Sequence, residues 1–316
     1  MKKTLKTILS LACVVALVAS LGIGAFAAEP TLEEVYALAQ RAMDVQAVEN
    51  IMSRHVLYHC YGEHCQEMED IWVQEPANQA TASFGQNQGY CIGYDAVWEF
   101  YGTSHDDAFI TKGKAYLERQ GVDTTGMTDE ELAQYGGIGQ LLLHVTTTAI
   151  IEIAEDGKTA KGYWYSPGMI SESGSAASSI WEAYGADFVK EGDDWKIWHL
   201  HMFTDFMCGF GDNFNSGSAS GEASGGPSGS GEQGGQVNYK GEEGAADARD
   251  AAYASGNYVY HEEYTQFSTS RLRNEMMVVP IPLPYETWDF SVENYGPTAE
   301  EFALVGVDVN DWYAAQ

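Results

Sequence analysis

His55 and His59 are spaced to share one face of a helix, with Tyr58 adjoining them. An imidazole changes charge near neutral pH, so such a pair can take a proton from carbon beside a carbonyl or deliver one to a leaving hydroxyl. Tyr58 adds a phenol. His144 stands at the start of a long alternating segment, where a histidine at the mouth of an apolar cavity would do the same chemistry. Further along, strict alternation puts Trp195, Ile197, His199, His201 and Phe203 on one strand face and Trp198, Leu200 and Met202 on the other. His199 and His201 are therefore expected either to line a pocket or to bond within the sheet. Tyr163 and Tyr165 share a face of the preceding strand, and Trp98 sits in a short helical stretch. His55, His59, Cys60, His64 and Cys65 crowd one segment, but neighbouring helix positions point about 100° apart. The chain has neither H-E-x-x-H nor C-x-x-C, so no metal centre is expected.

These groups need elements to hold them. Pro30-Thr31-Leu-Glu-Glu opens a helix with acids in its first turn, and helical apolar spacing runs through Val45, Val48, Ile51, Met52 and Val56 toward Ile71. Short strands are expected near residues 80–84 and 89–93, then a helix over 94–101 and a capping box at Thr128-Asp-Glu-Glu131. Beyond Gly139 the period becomes alternating: 141–153, an Asp156-Gly157 turn, 159–165, 178–190, a Gly192-Asp193 turn and 195–206. Helices followed by an antiparallel meander indicate an α+β domain over residues 30–213. Residues 214–236 are a Gly/Ser-rich linker. The extension 237–316 contains a proline-spaced aromatic strap, Pro280 to Phe290, expected to pack on the core or on a partner subunit.

Composition bounds the partners. With 16 Lys+Arg against 46 Asp+Glu the formal charge is −30, which repels phosphate backbones, so no nucleic acid is expected as a partner. The chain opens with Lys2, Lys3 and Lys6, an apolar run and Ala25-Phe-Ala27. That layout is a signal peptide over 1–27, cut after Ala27, leaving a secreted or extracytoplasmic protein with no stable membrane anchor. Cys60, Cys65, Cys91 and Cys208 then remain. The spacing of Cys60 and Cys65 disfavours a bond between them unless the helix ends there, and three connectivities stay open. No G-x-S-x-G, Walker A or dinucleotide fingerprint occurs, so no cofactor is expected.

The stretch Asp44 to His55, then His144-Val-Thr-Thr-Thr-Ala-Ile-Ile-Glu-Ile with Gly162-Tyr-Trp-Tyr165, and Asp194-Trp-Lys-Ile-Trp-His199 together resemble the SnoaL-like family of the NTF2-like superfamily over about residues 32–210. The resemblance implies a curved antiparallel sheet wrapped on N-terminal helices around a deep apolar cone. His144 falls where the dehydratases of that family place a catalytic histidine. Their tyrosine falls near His55, while the acid that follows it has no clear counterpart. The implied function is a cofactor-independent lyase or isomerase, dehydratase-like, acting on a hydrophobic ring compound. His144 would be the general acid/base and His55, Tyr58 or His59 the second proton group. The alternative is a non-catalytic secreted small-molecule-binding protein of the same fold. The resemblance and the two-sided apolar strand around Trp198 together suggest a homodimer.

Overall fold

The computed structural model describes residues 30–87, 89–171, 177–210, 257–260, 279–292 and 294–316, without the side chains of 104, 105, 206–208 and 260. The expected leader, the linker 214–236 and the Cys208 side chain lie outside the described residues. The chain divides into two compact units, residues 1–43 and 44–316. The described part of the first is the opening of helix α1 (Leu32–Tyr61). There Thr31 and Glu34 cap each other reciprocally, Glu34 N–H to Thr31 Oγ1 at 3.2 Å and Thr31 N–H to Glu34 Oε2 at 2.6 Å.

In the second unit α1 buries Asp44, Val48, Ile51, Met52, His55 and His59, a stripe at helical spacing. The helix does not run on to Ile71. It stops at Tyr61, where Glu63 N–H bonds Tyr58 O at 2.9 Å and Gly62 N–H bonds His59 O at 3.3 Å, the paired bonds of a Schellman cap. Gly62 has φ +77°, and a Cβ there would lie 2.3 Å from the Phe109 ring. Gly62→Ala is therefore expected to cost about 1–3 kcal/mol, from a left-handed non-glycine residue and a forced ring shift. Urea unfolding would measure it. The turn sends α2 (His64–Ile71) back so that His64, Glu67, Met68 and Ile71 are buried.

Helix α3 (Pro76–Thr81), strands β1 (Ser83–Gln86) and β2 (Gly89–Ile92), and helix α4 (Tyr94–Val97) follow. A π-helical turn over Trp98–Thr103 leads into α5 (Ser104–Arg119), and α6 (Asp129–Gly136) carries the Thr128/Glu131 capping box. The remaining strands of the core are β3 (Leu141–His144), β4 (Thr147–Ile153), β5 (Thr159–Ser171), β6 (Ser178–Glu191) and β7 (Asp194–Gly209), with a late β8 (Tyr258–Tyr260). They form one unclosed eight-stranded sheet in the order β3-β5-β6-β7-β1-β2-β8, with β4 also on β5.

Three details differ from the sequence expectation. The segment 141–153 is two strands, because β3 pairs with the far half of β5 (His144 opposite Gly168) and β4 with its near half (Ile153 opposite Ala160). Within β4 itself a register shift between Thr147 and Ile150 and a positive φ at Thr148 mark a bulge against β5. One ladder is parallel, β1 against β7 (Phe84 opposite Leu200), which places β1 and β2 beyond β7 in the sheet. Finally, β7 carries a bulge between the pairs His199–Asp187 and Ile197–Phe188. The extra residue reverses the alternation. Trp195, Ile197, Leu200 and Met202 face the helices, while Trp198 packs on the other side.

The outer sheet face around Trp198 is covered by the chain's own C-terminal residues. Trp288 and Trp312 stand with ring centres 4.8 Å from Trp198, and Phe290 at 5.5 Å. Two short helices, α7 (Ala299–Leu304) and α8 (Val309–Ala315), complete this layer, with Trp312 Nε1–H bonding Asn78 Oδ1 at 2.8 Å. The apolar face that suggested a subunit partner is thus occupied from within the chain. Asp187 pins the layer. Its Oδ2 accepts from the main-chain N–H of Tyr295 at 2.8 Å and Gly296 at 3.0 Å, and lies 2.9 Å from His199 Nδ1. His199 Nε2 lies 3.0 Å from Thr81 O. Both ring nitrogens are thus engaged by oxygen atoms. Asp187→Asn removes a buried charge partner and is expected to cost about 3–5 kcal/mol. Limited proteolysis should then cut within 279–316 faster than in the parent chain.

Candidate active site

The inner face of the sheet and the first helices enclose a cluster of ionisable side chains. Helix α1 supplies His55 and His59, the reversed α2 supplies His64 and Glu67, the π-helical turn supplies Tyr101, β3 supplies His144, and β6 supplies Glu182 and Tyr184. All are buried, His55, His64 and Glu67 completely and His144 at 2% exposure.

Glu67 organises one half. Its Oε1 accepts from His55 Nδ1 at 2.8 Å and Trp72 Nε1 at 3.0 Å, and its Oε2 accepts from Tyr101 OH at 2.8 Å. A carboxylate so placed fixes the proton of His55 on Nδ1 and leaves the Nε2 lone pair available. His55 Nε2 is buried and has no hydrogen-bond partner among the described residues. Burial first, and then the charge of Glu67, hold the Tyr101 phenol well above its ordinary range, so it stays a donor.

The other half is joined through His59. Its ring centre is 4.9 Å from that of His144, 5.9 Å from His55 and 5.0 Å from His64. His59 Nδ1 and His64 Nε2 are 3.0 Å apart, within hydrogen-bond reach. His144 Nδ1 lies 3.2 Å from Glu182 Oε2, close enough for an ion pair but out of line for a hydrogen bond. Glu182 also accepts from Tyr184 OH and Thr204 Oγ1, each at 3.2 Å. The Cys60 thiol braces β3, with His144 N–H 3.4 Å from its sulfur.

The structure thus brings His55, His59 and His144 together. It does not bring Tyr58 in: that phenol lies on another face of α1 and bonds Asp70, which raises its pKa, burial adding less. Tyr101 takes the phenol position instead. His199 and His201 are displaced by the β7 bulge to the outer face, and each has both nitrogens engaged. His201 pairs with Tyr90 OH and Gln86 O, both at 3.0 Å. Tyr163 faces outward too, packed with Phe203, Val279 and Tyr295, and its neighbour Tyr165 shares that face, their ring centres 5.5 Å apart. Trp98 is half-buried against Tyr94, outside the histidine cluster. Sequence reasoning missed Glu67, Tyr101 and Glu182. Glu67 carried a signal: an acid on the stripe His64, Met68, Ile71 is on the buried face once α2 is a separate helix.

Among the described residues no group of three His, Cys, Asp or Glu side chains is arranged to hold a metal ion. Cys60 and Cys65 are not joined to each other by a disulfide. A groove of about 470 Å³ lies between α5 and α6, lined by Lys114, Glu118, Asp123, Thr124, Met127 and Leu132 among others. None of the clustered histidines borders it, and its lining carries no comparable proton chemistry.

A model of the SnoaL-like domain matches residues 40–201. A search of the curated proteins finds no match. Among solved structures, the chain is similar to a putative scytalone dehydratase from Novosphingobium aromaticivorans, with 10% identity, TM-score 0.37, and 54% of this chain and 91% of that one covered. It is similar also to an NTF2-like protein with a cystatin-like fold from the same organism, with 15% identity, TM-score 0.37 and coverage of 55% and 90%. A third is a hexachlorocyclohexane dehydrochlorinase, LinA-type3, from Novosphingobium barchaimii, with 10% identity, TM-score 0.38 and coverage of 54% and 92%. With the domain match spanning both the inner helices and the curved sheet that enclose the histidines, the chain belongs to the SnoaL-like family of the NTF2-like fold.

Proposed function

We propose that this protein is an exported, cofactor-independent lyase or isomerase that moves protons on a hydrophobic ring compound. The observation that carries the reading is the meeting of His55, held by Glu67 at 2.8 Å, with His59 and His144 in one water-poor cluster. Elimination of water needs a base for a carbon-bound proton and an acid for the departing hydroxyl, and each group contributes about 10²–10⁴-fold when positioned. His55 Nε2 fits the base. The imidazoles of His59 and His144 fit the acid. Phe84, Phe100 and Trp72 pack in the same core, apolar surroundings that would suit a ring substrate.

A second reading, a small-molecule-binding protein without turnover, is favoured by one observation. Glu67 already holds three donors, a network complete without any substrate. Incubation with a panel of ring hydroxy-ketones separates the two. Loss of the mass of water, abolished in His144→Ala, supports the enzyme. A new isomer of unchanged mass, resolved by chromatography, supports the enzyme as well; a thermal shift without any new compound supports the binder, and absence of all these results removes both readings.

A further inference from the structure

The Schellman turn at Gly62 does more than end a helix. It sets His59, in the last turn of α1, against His64, the first residue of α2, with His59 Nδ1 and His64 Nε2 at 3.0 Å. Two facing imidazole nitrogens hold one proton between them, and whichever ring donates it decides the state of the other ring's far nitrogen. We propose that His64 is a positioning residue that makes His59 the general acid of this site, the two rings working as one proton-sharing unit.

This rests on the lyase reading and deepens it. In its charged form the unit carries three protons on four ring nitrogens: both on His64, and one on His59 Nε2. During elimination His59 Nε2 gives its proton to the departing hydroxyl, the C–O bond breaks and water leaves. The shared proton moves from His64 Nε2 to His59 Nδ1, and the positive charge disappears from His64. The carbon-bound proton passes to His55 Nε2, its electron pair forming the C=C bond. His55 returns its proton to the unit through solvent before the next turnover. Without His64, a neutral His59 that lost its Nε2 proton would become an imidazolate, which a buried site does not support.

The surroundings bear on the charge of the unit. His55 stacks on it from α1, Tyr101 faces both rings from the π-helical turn at 6.3 and 5.1 Å, and His144 approaches from β3. Glu67 on α2 and Glu182 on β6 supply negative charge through His55 and His144. Asp106 on α5 accepts from the His64 main chain and from Cys65.

The test uses the full chain labelled with ¹⁵N-histidine, in parent form, as His64→Gln and as His64→Phe. Ring ¹⁵N shifts are followed between about pH 5 and about pH 9. In the parent the His59 ring should titrate in two coupled steps. Glutamine still donates to His59 Nδ1 but cannot titrate, so His59 should then show one step; phenylalanine should abolish the bond. An identical His59 titration in the parent and His64→Gln overturns the proposal. On any panel compound the parent converts, His64→Gln should lower kcat by about 10–100-fold with KM little changed, and should move the alkaline limb of the pH profile. Unchanged kcat and profile also overturn it. If the parent converts nothing while the coupled titration persists, the catalytic reading fails and the proton-sharing pair stands.

Discussion

Replacing Glu67 with alanine is expected to lower the unfolding free energy by about 3–5 kcal/mol, the range for breaking a buried charged network by removing one member. Three donors lose their acceptor at once: His55 Nδ1, Trp72 Nε1 and Tyr101 OH, all within 3.0 Å of the carboxylate and all buried. None can reach water without opening the interface between α1 and α2. Glu67→Gln keeps one acceptor oxygen but turns an amide donor toward a donor, and should cost about 1–3 kcal/mol. Urea titration of the three proteins measures the ordering. A glutamine variant as unstable as the alanine one would show that the charge, rather than the count of acceptors, holds the network. In both variants His55 loses its fixed tautomer, so any turnover should fall more steeply than stability alone requires.

Removing His144 or His55 individually, as His144→Ala or His55→Ala, is expected to lower turnover by about 10²–10⁴-fold while circular dichroism stays that of the parent. The two should not be additive if both serve one elimination step, His55 as the base and His144 packed on the ring of the acid His59. His199→Ala is the contrasting control. Its ring lies on the outer face and contacts Trp288 and Phe302, so its loss should lower stability and leave the proton chemistry in place. If His144→Ala and His55→Ala both kept full activity, the assignment of the cluster would be lost.

The fold was legible because its periods are clean. The stripe Val48, Ile51, Met52, His55 and the alternation of the long strands are patterns that only one burial can satisfy. What the sequence hid came from single residues that break a period. Gly62 ends α1 early and brings Glu67 back beside His55. One extra residue in β7 moves His199 and His201 across the sheet. Tyr101 enters through a π-helical turn, whose widened winding no simple helical period reproduces. Glu182 sits on the inner face of a strand whose neighbours Tyr184 and Ala186 give no sign of an acid. Thus His55, His59 and His144 could be nominated from type and spacing, while the carboxylates that orient them depend on turns and bulges.

The layer over Trp198 has a consequence for the order of assembly. Trp312 closes on Asn78, 234 residues earlier in the chain, and Asp187 grips main-chain groups at Tyr295 and Gly296. Synthesis from the N-terminal end delivers these residues after the sheet they cover. Until they emerge, the nascent sheet shows Trp198, His199 and Asp187 to water, and this long-range closure is slow by its topology. A protein lacking Val309–Ala315 would keep its histidines yet leave Trp198 unroofed, an exposed apolar patch of the kind that promotes aggregation.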